Sequence, residues 1–261
     1  MRSALLPLLL LAVLPLLACA RGDAAPAPVP PSTRPVLVEL FTSQGCSSCP
    51  PADEALAQLA ALPAGERAVI PLAFHVDYWD RLGWRDPFSS AAWSDRQRRY
   101  AAAMGSNRVY TPQLVIGGSA ECVGTDTRRL DQLVATTASA PERATVSLRL
   151  EAHGRDSWKV AVSGERRRAS DAPPAEVLVA LYEDGLDTPV GRGENANRNL
   201  HNDRVVRHLA RAVALPAGGG RGAAHVDIPI DPSWGRKLGV VAFVQEPSTL
   251  RVLAAAEATA Q

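Results

Sequence analysis

Two cysteines with two residues between them, set where an apolar strand gives way to an amphipathic helix, constrain this chain more than any other feature. Residues 36–41, Val36-Leu37-Val38-Glu39-Leu40-Phe41, read as a buried strand of β-branched and aliphatic side chains. Residues 52–62 put Leu56, Leu59 and Leu62 on one helical face, with Asp53 and Glu54 in the first turn. Between them lie Gly45, which permits a sharp turn, then Cys46-Ser47-Ser48-Cys49, then Pro50-Pro51, which need no backbone donors where a helix begins. Cysteines at such a junction meet unpaired N–H groups and the positive end of the helix dipole. Those can bring a thiol pKa from about 8.5 into the range of roughly 3.5–7.5. The arrangement suits thiol–disulfide exchange. Two plainer readings compete. Half a zinc site would need a second Cys or His pair at short spacing, and none follows. A structural staple across so small a loop would remove little chain entropy.

The 261 residues suffice for two modest domains with real cores. A net charge of +1 and a pI near 7.7 argue against a nucleic-acid surface or a polybasic membrane surface. Residues 1–20 carry one early charge, Arg2, and an apolar core, which fits a signal peptide better than a membrane span. Leu16-Leu17-Ala18-Cys19 resembles a bacterial lipobox, which would make Cys19 a lipidated N-terminus; Ala18-Cys19-Ala20 also fits ordinary cleavage. The lipidation reading is preferred. Either route exports the protein to a compartment where disulfides persist, the periplasm, with membrane contact only through that anchor. Residues 21–35, rich in Pro and Ala, read as a tether. Beyond Cys19 of the leader, the mature fold has Cys46, Cys49 and Cys122, the last expected as a small buried hydrophobe.

From residue 36 the expected order is strand, helix, a second buried strand through His75-Val76, and an aromatic loop over 77–88. Next come a helix capped by Ser89 or Ser90, a hairpin over 111–123, and a helix capped by Thr125 or Asp126. This order, with Cys46-Ser47-Ser48-Cys49 at the first junction and Thr111-Pro112 before the hairpin, resembles the thioredoxin arrangement. More narrowly, the chain resembles the exported bacterial family called domain of unknown function 1223. That likeness rests on Glu39 through Asp53, on His75-Val76-Asp77-Tyr78-Trp79-Asp80 with Leu82-Gly83-Trp84, and on Tyr110-Thr111-Pro112-Gln113. In the second half it rests on Arg192-Gly193-Glu194-Asn195 and Val205-Val206-Arg207. It implies a thioredoxin-like fold, with no settled substrate. It also implies a cis Pro112 opposite the cysteines, where Thr111 and Pro112 would help hold a substrate backbone. Thioredoxin-like proteins often carry a buried acid near Glu39 that accepts a proton from the second cysteine; the alternative is that Glu39 pairs structurally with an Arg.

Residues 36–140 are therefore expected as a thioredoxin-like α/β domain. Residues 141–261 hold short apolar runs separated by turn-rich gaps and read as a small all-β, sandwich-like domain. Residues 192–211 are polar and give no clear element. Cys46, nearer the loop and open to solvent, is expected to attack, with Cys49 resolving the mixed disulfide. Trp79 and Trp84, with Phe88, read either as a substrate wall or as filling for the seam between the halves. The expected partners are thiols or disulfides of envelope proteins, or a small thiol, with no cofactor. A first alternative is a copper-delivery module in which His75 joins the two thiolates; a second is a non-enzymatic envelope interaction protein.

Overall fold

The computed structural model describes residues 34–62, 69–235 and 237–259. The first half comprises β1 (Val36–Thr42), α1 (Pro50–Ala61), β2 (Val69–His75), α2 (Ala91–Ala103), β3 (Gln113–Ile116), β4 (Ala120–Val123) and α3 (Thr127–Ser139). The second half is β5 (Ala144–His153), β6 (Ser157–Arg166), β7 (Ala175–Glu183), β8 (Leu186–Pro189), β9 (Asn199–Asn202), β10 (Val205–Leu215), β11 (Gly220–Pro229), β12 (Leu238–Gln245) and β13 (Val252–Thr259). Local chemistry sets the helix ends. Pro50 and Pro51 open α1, the Ser90 hydroxyl accepts from Ala92 N to cap α2, and Asp126 accepts from Arg129 N to cap α3.

Strands of both halves join one eight-stranded sheet in the order β13-β12-β7-β10-β2-β1-β3-β4. β1 and β2 run parallel, linked by α1, while β3 pairs antiparallel with β1 and with β4. The join between halves is β10 against β2, with Val205 beside Ala73 and Ala73 N donating to Arg204 O at 2.8 Å. A second sheet, β11-β6-β5, and the small β8-β9 pair complete the strands. The molecule is thus mixed α/β, with a large mixed sheet, three α-helices among the described residues and additional antiparallel sheets.

Strand parity decides what each face meets. Leu37 and Phe41 of β1 and Leu72 and Phe74 of β2 face α2. They form one cluster with Trp93 and Tyr100, continuing to Leu178, Tyr182 and Phe243 of the second half. Val36, Val38 and Leu40 of β1 and Ala73 of β2 face the opposite way, onto Ala52 and Leu56 of α1 and Leu130 and Val134 of α3. Farther along the sheet, Val177, Val179 and Leu181 of β7 and Val240, Ala242 and Val244 of β12 pack on Trp158, Val160 and Val162 of β6. Residues 177–182 and 239–244 are apolar without alternation because helix or sheet covers both their faces.

Candidate functional site

At its C-terminal end β1 runs into the tight turn 43–49, and α1 starts there. Cys46 and Cys49 are joined in a disulfide with Cα atoms 5.5 Å apart. Cys49 is the N-cap residue of α1, and its side chain caps no N–H group. Cys46 Sγ lies 3.3 Å from Ser48 Oγ. The expectation that solvent reaches Cys46 fails in this oxidised state, because both cysteines are fully buried while Ser47 and Ser48 between them are exposed. A segment 149 residues away helps hold the turn in place: the buried Asn195 amide donates to Gln44 O and Cys46 O, each at 2.9 Å. Beside it Glu194 Oε2 accepts from Ser47 N at 2.9 Å, and the hydrogen bonds from Ser47 lower the Glu194 pKa.

The aromatic loop closes another side. A Cβ on Gly45 would lie 3.1 Å from Trp79 Cβ, so the turn and Trp79 are in close contact. The Trp79 indole N–H donates to Thr111 Oγ1 at 2.8 Å, which ties the cysteine turn to the segment before β3. The Thr111–Pro112 bond is cis. Gly124 packs between Pro112 and Ala52: a Cβ there would lie 2.7 Å from one Cβ and 2.8 Å from the other. Pro112 therefore sits against the first turn of α1, close to the cysteines in the fold. Trp84 donates its indole N–H to Gln44 Oε1 at 3.2 Å, and Gln44 Nε2 donates to Asn202 Oδ1 at 3.0 Å. Phe88 packs edge-on to His75, and the Arg207 guanidinium lies 5.1 Å from the Phe88 ring centroid. Of the two readings of the aromatics, the seam between halves describes what Trp84 and Phe88 touch.

Glu39 is not part of this site. As an odd-numbered residue of β1 it points to the α2 face, away from α1 and Cys49. There Arg96 Nε donates to Glu39 Oε1 at 2.7 Å, and the Tyr100 hydroxyl donates to Glu39 Oε2. Arg96 also donates to Gln245 Oε1 at 3.2 Å, and its guanidinium lies 5.0–5.6 Å from the rings of Tyr100, Phe74 and Phe243. Of the two readings of Glu39, the structural ion pair is the one realised. Cys122 is free and buried on β4, and burial raises its pKa to about 11. Cys19, the leader and residues 21–33 lie outside the described residues.

A second buried acid does approach the cysteines. Asp53 follows Cys49 by four residues on α1, and Asp53 N donates to Cys49 O at 3.1 Å. Cys49, Ala52, Asp53 and Leu56 form the buried face of the helix. Across from it Thr42 and His75 are register partners on β1 and β2 and share the face toward α1. His75 Nδ1 lies 2.7 Å from Asp86 Oδ2, which also accepts from Gln44 N at 2.8 Å. Burial opposes charge on His75, but Asp86 outweighs it and raises the pKa; burial likewise opposes charge on Asp86, but His75 and its hydrogen bonds lower it. Burial pushes Asp53 up to about 7, with His75 and the neighbouring Thr42 hydroxyl holding it back. In the sequence Asp53 reads only as a helix-start acid. Its spacing of four from Cys49 was the signal that both share a face. Glu194 and Asn195 lie in the Arg192-Gly193-Glu194-Asn195 motif, but nothing in the chain points to where it docks. Among the described residues no group of three or more His, Cys, Asp or Glu is placed to hold a metal ion.

A family model described as "Protein of unknown function (DUF1223)" matches residues 37–245. The chain belongs to that family. Among solved structures, an Agrobacterium tumefaciens protein is similar to this DUF1223 chain at 28% identity and a TM-score of 0.64, over 85% of this chain and 92% of that one. HBP35 of Porphyromonas gingivalis matches at 15% identity and a TM-score of 0.62, over 87% of this chain and 75% of its own, a likeness of fold alone. No curated protein matches. No helix among the described residues is long and apolar enough to cross a membrane.

Proposed function

We propose that this DUF1223 protein is an exported, thioredoxin-like thiol–disulfide exchange protein that acts on thiols or disulfides of envelope proteins, or on a small thiol. The observation that carries the reading is the Cys46–Cys49 disulfide at the N-terminus of α1, beside the cis Thr111–Pro112 segment. A cysteine at a helix start leaves readily as a thiolate, because unpaired N–H groups and the helix dipole stabilise the charge. Cys46 is the attacking sulfur and Cys49 the resolving one, with Trp79, Thr111 and Pro112 beside the turn as substrate contacts and Trp84 behind it. Since both sulfurs are buried, attack requires the turn or the 194–195 segment to move first. Localisation follows the leader: residues 1–20 direct export, and Cys19 is the lipidated first residue of the mature protein. Mass spectrometry of the mature N-terminus checks that; a free N-terminus at Arg21 would replace it with ordinary cleavage.

Trapping tests the exchange reading. Cys49→Ser should accumulate mixed disulfides with envelope proteins, visible on non-reducing gels and lost on reduction, and Cys46→Ser should accumulate none. If neither variant traps a partner and the reduced protein keeps Cu(I) against a competing chelator, copper delivery replaces exchange. A second reading has its own observation: the disulfide is buried and clamped by Asn195, as a structural bond in a non-enzymatic envelope interaction protein would be. Negative results in both assays favour it.

A further inference from the structure

Beneath the first turn of α1 three buried polar side chains share one space: Thr42, Asp53 and His75, with the Thr42 hydroxyl and the His75 ring both acting on the Asp53 carboxyl and His75 Nε2 left without a hydrogen-bond partner among the described residues. The three residues are 0%, 8% and 1% exposed. A buried polar atom left unpaired is costly, so His75 Nε2 beside the Asp53 carboxyl marks this space as more than packing. What adjoins it is the disulfide. Asp53 and Cys49 stand four apart on the buried face of α1, where side chains at that spacing lie about 5–6 Å apart at Cβ.

We infer that Asp53 is the proton donor and acceptor for Cys49, and that the His75–Asp86 pair positions its carboxyl for that transfer. The inference rests on the exchange reading. Opening the disulfide begins when a partner thiolate attacks Cys46 Sγ. A partner–Cys46 S–S bond forms, the Cys46–Cys49 bond breaks, and its electron pair leaves on Cys49 Sγ. Asp53 then passes its carboxyl proton to that sulfur, leaving a Cys49 thiol and an Asp53 carboxylate. In the closing direction Asp53 takes the proton back, the Cys49 thiolate attacks Cys46, and the partner departs as a thiolate. Charge and electrons balance in both directions without a further reagent.

The surroundings fit a group that must hold a proton in the oxidised state and release it. Burial pushes the Asp53 pKa up to about 7, toward the range of a thiol. Asp86, held as a carboxylate, accepts from the N–H of His75 Nδ1, so His75 turns Nε2 toward the space it shares with Asp53. The groups around the carboxyl are Thr42 from β1, His75 from β2 and Asp86 from the aromatic loop. Arg207 from β10 acts on His75 and Asp86. β9 adds no titrating side chain there, since its exposed His201 pairs with Asp187 and Asp203.

The test follows the opening of the disulfide by dithiothreitol between pH 5 and 9, with rates normalised to dithiothreitol thiolate. Wild type should give a normalised rate that falls through a midpoint near 7 as Asp53 loses its proton. Asp53→Asn should lose the bend and run at least about tenfold slower at pH 6, the low side of what a positioned proton donor supplies. His75→Gln should keep the bend but move its midpoint upward, because the imidazolium favours the Asp53 carboxylate; a purely structural His75 would leave the midpoint in place. Carboxyl ¹³C NMR of the unmodified oxidised protein should find Asp53 titrating near 7, a measurement independent of whether Asp53→Asn folds. A flat wild-type profile, an unchanged bend in Asp53→Asn, or an Asp53 that titrates in the ordinary carboxylate range overturns the inference. If Cys49→Ser captures no partner while the bend persists, the exchange reading falls and the proton transfer stands.

Discussion

Glu39 and Asp53 are both carboxylates buried against β1, one on each face of the sheet, and their surroundings are opposite in kind. Glu39 meets a full complement: an arginine, a tyrosine hydroxyl and, through Arg96, the Gln245 amide that also bonds Tyr100 and Leu250. Asp53 has only the Thr42 hydroxyl and the charges of the His75–Asp86 pair acting on its carboxyl, and no arginine or lysine among the described residues. A satisfied buried charge ties elements together, here α2 to β1 and β12, whereas an unsatisfied one stays ready to change its protonation. The closed network therefore reads as scaffold and the open one as chemistry.

The contrast is sharpest in stability. Arg96→Ala should cost about 3–5 kcal/mol in denaturant unfolding, since it strands the Glu39 charge in an apolar layer. Replacing both partners by apolar residues, Glu39→Leu with Arg96→Met, should recover most of that loss. A double variant no better than the single one would show that the network is more than a paired charge. Asp53 should behave in the reverse sense. Its folded pKa of about 7 lies above the unfolded 3.8, so the unfolded chain gives up this proton first. Stability should then fall as pH rises from about 4 to 7 and level off above, by at most about 4 kcal/mol from this group. His75, also raised, adds to the decline as pH passes its folded pKa, while the Asp86 contribution is constant above about 4. Asp53→Asn should flatten the profile and be more stable than wild type at pH 8 by chemical denaturation; equal slopes would place Asp53 with Glu39.

A smaller effect concerns the clamp on the cysteine turn. Asn195→Ala removes two buried hydrogen bonds and should cost about 1–3 kcal/mol. It should also speed reduction of the disulfide by small thiols, read by alkylation and mass spectrometry. An unchanged rate would mean that the 194–195 segment does not gate access to Cys46. Glu194→Gln should change least, leaving the midpoint of unfolding where it is and raising the reduction rate slightly at low salt, because the exposed carboxylate repels incoming thiolates.

Much of the first half was legible because its signals are local. The strand at residue 36, the proline-opened helix, the hairpin at Gly117-Gly118 and the caps at Ser90 and Asp126 each follow from neighbours in sequence. β10 was not legible: Val205-Val206-Arg207-His208 mixes apolar and cationic residues, since it is only partly covered while it bonds β7 on one side and β2 on the other. The same blindness hid the clamp, because no periodicity reports that Asn195 returns to Cys46. For Glu39 the sequence alone keeps two readings open, a proton acceptor or a structural partner of an Arg. Its position near the cysteines suggested a shared site, but period-two alternation along β1 puts it on the other face from α1.

The two ties on Cys46 differ in how far along the chain their partners lie. Its disulfide closes over three residues; its carbonyl waits for an amide 149 residues later. Short loops close within about a microsecond, while contacts between distant segments must wait for the intervening chain to be made and arranged. A chain made from its N-terminus has both cysteines long before it has Glu194 and Asn195. Closing the disulfide needs only the turn itself, whereas covering it needs a segment from the other half. Forming this bond and hiding it are therefore separate events.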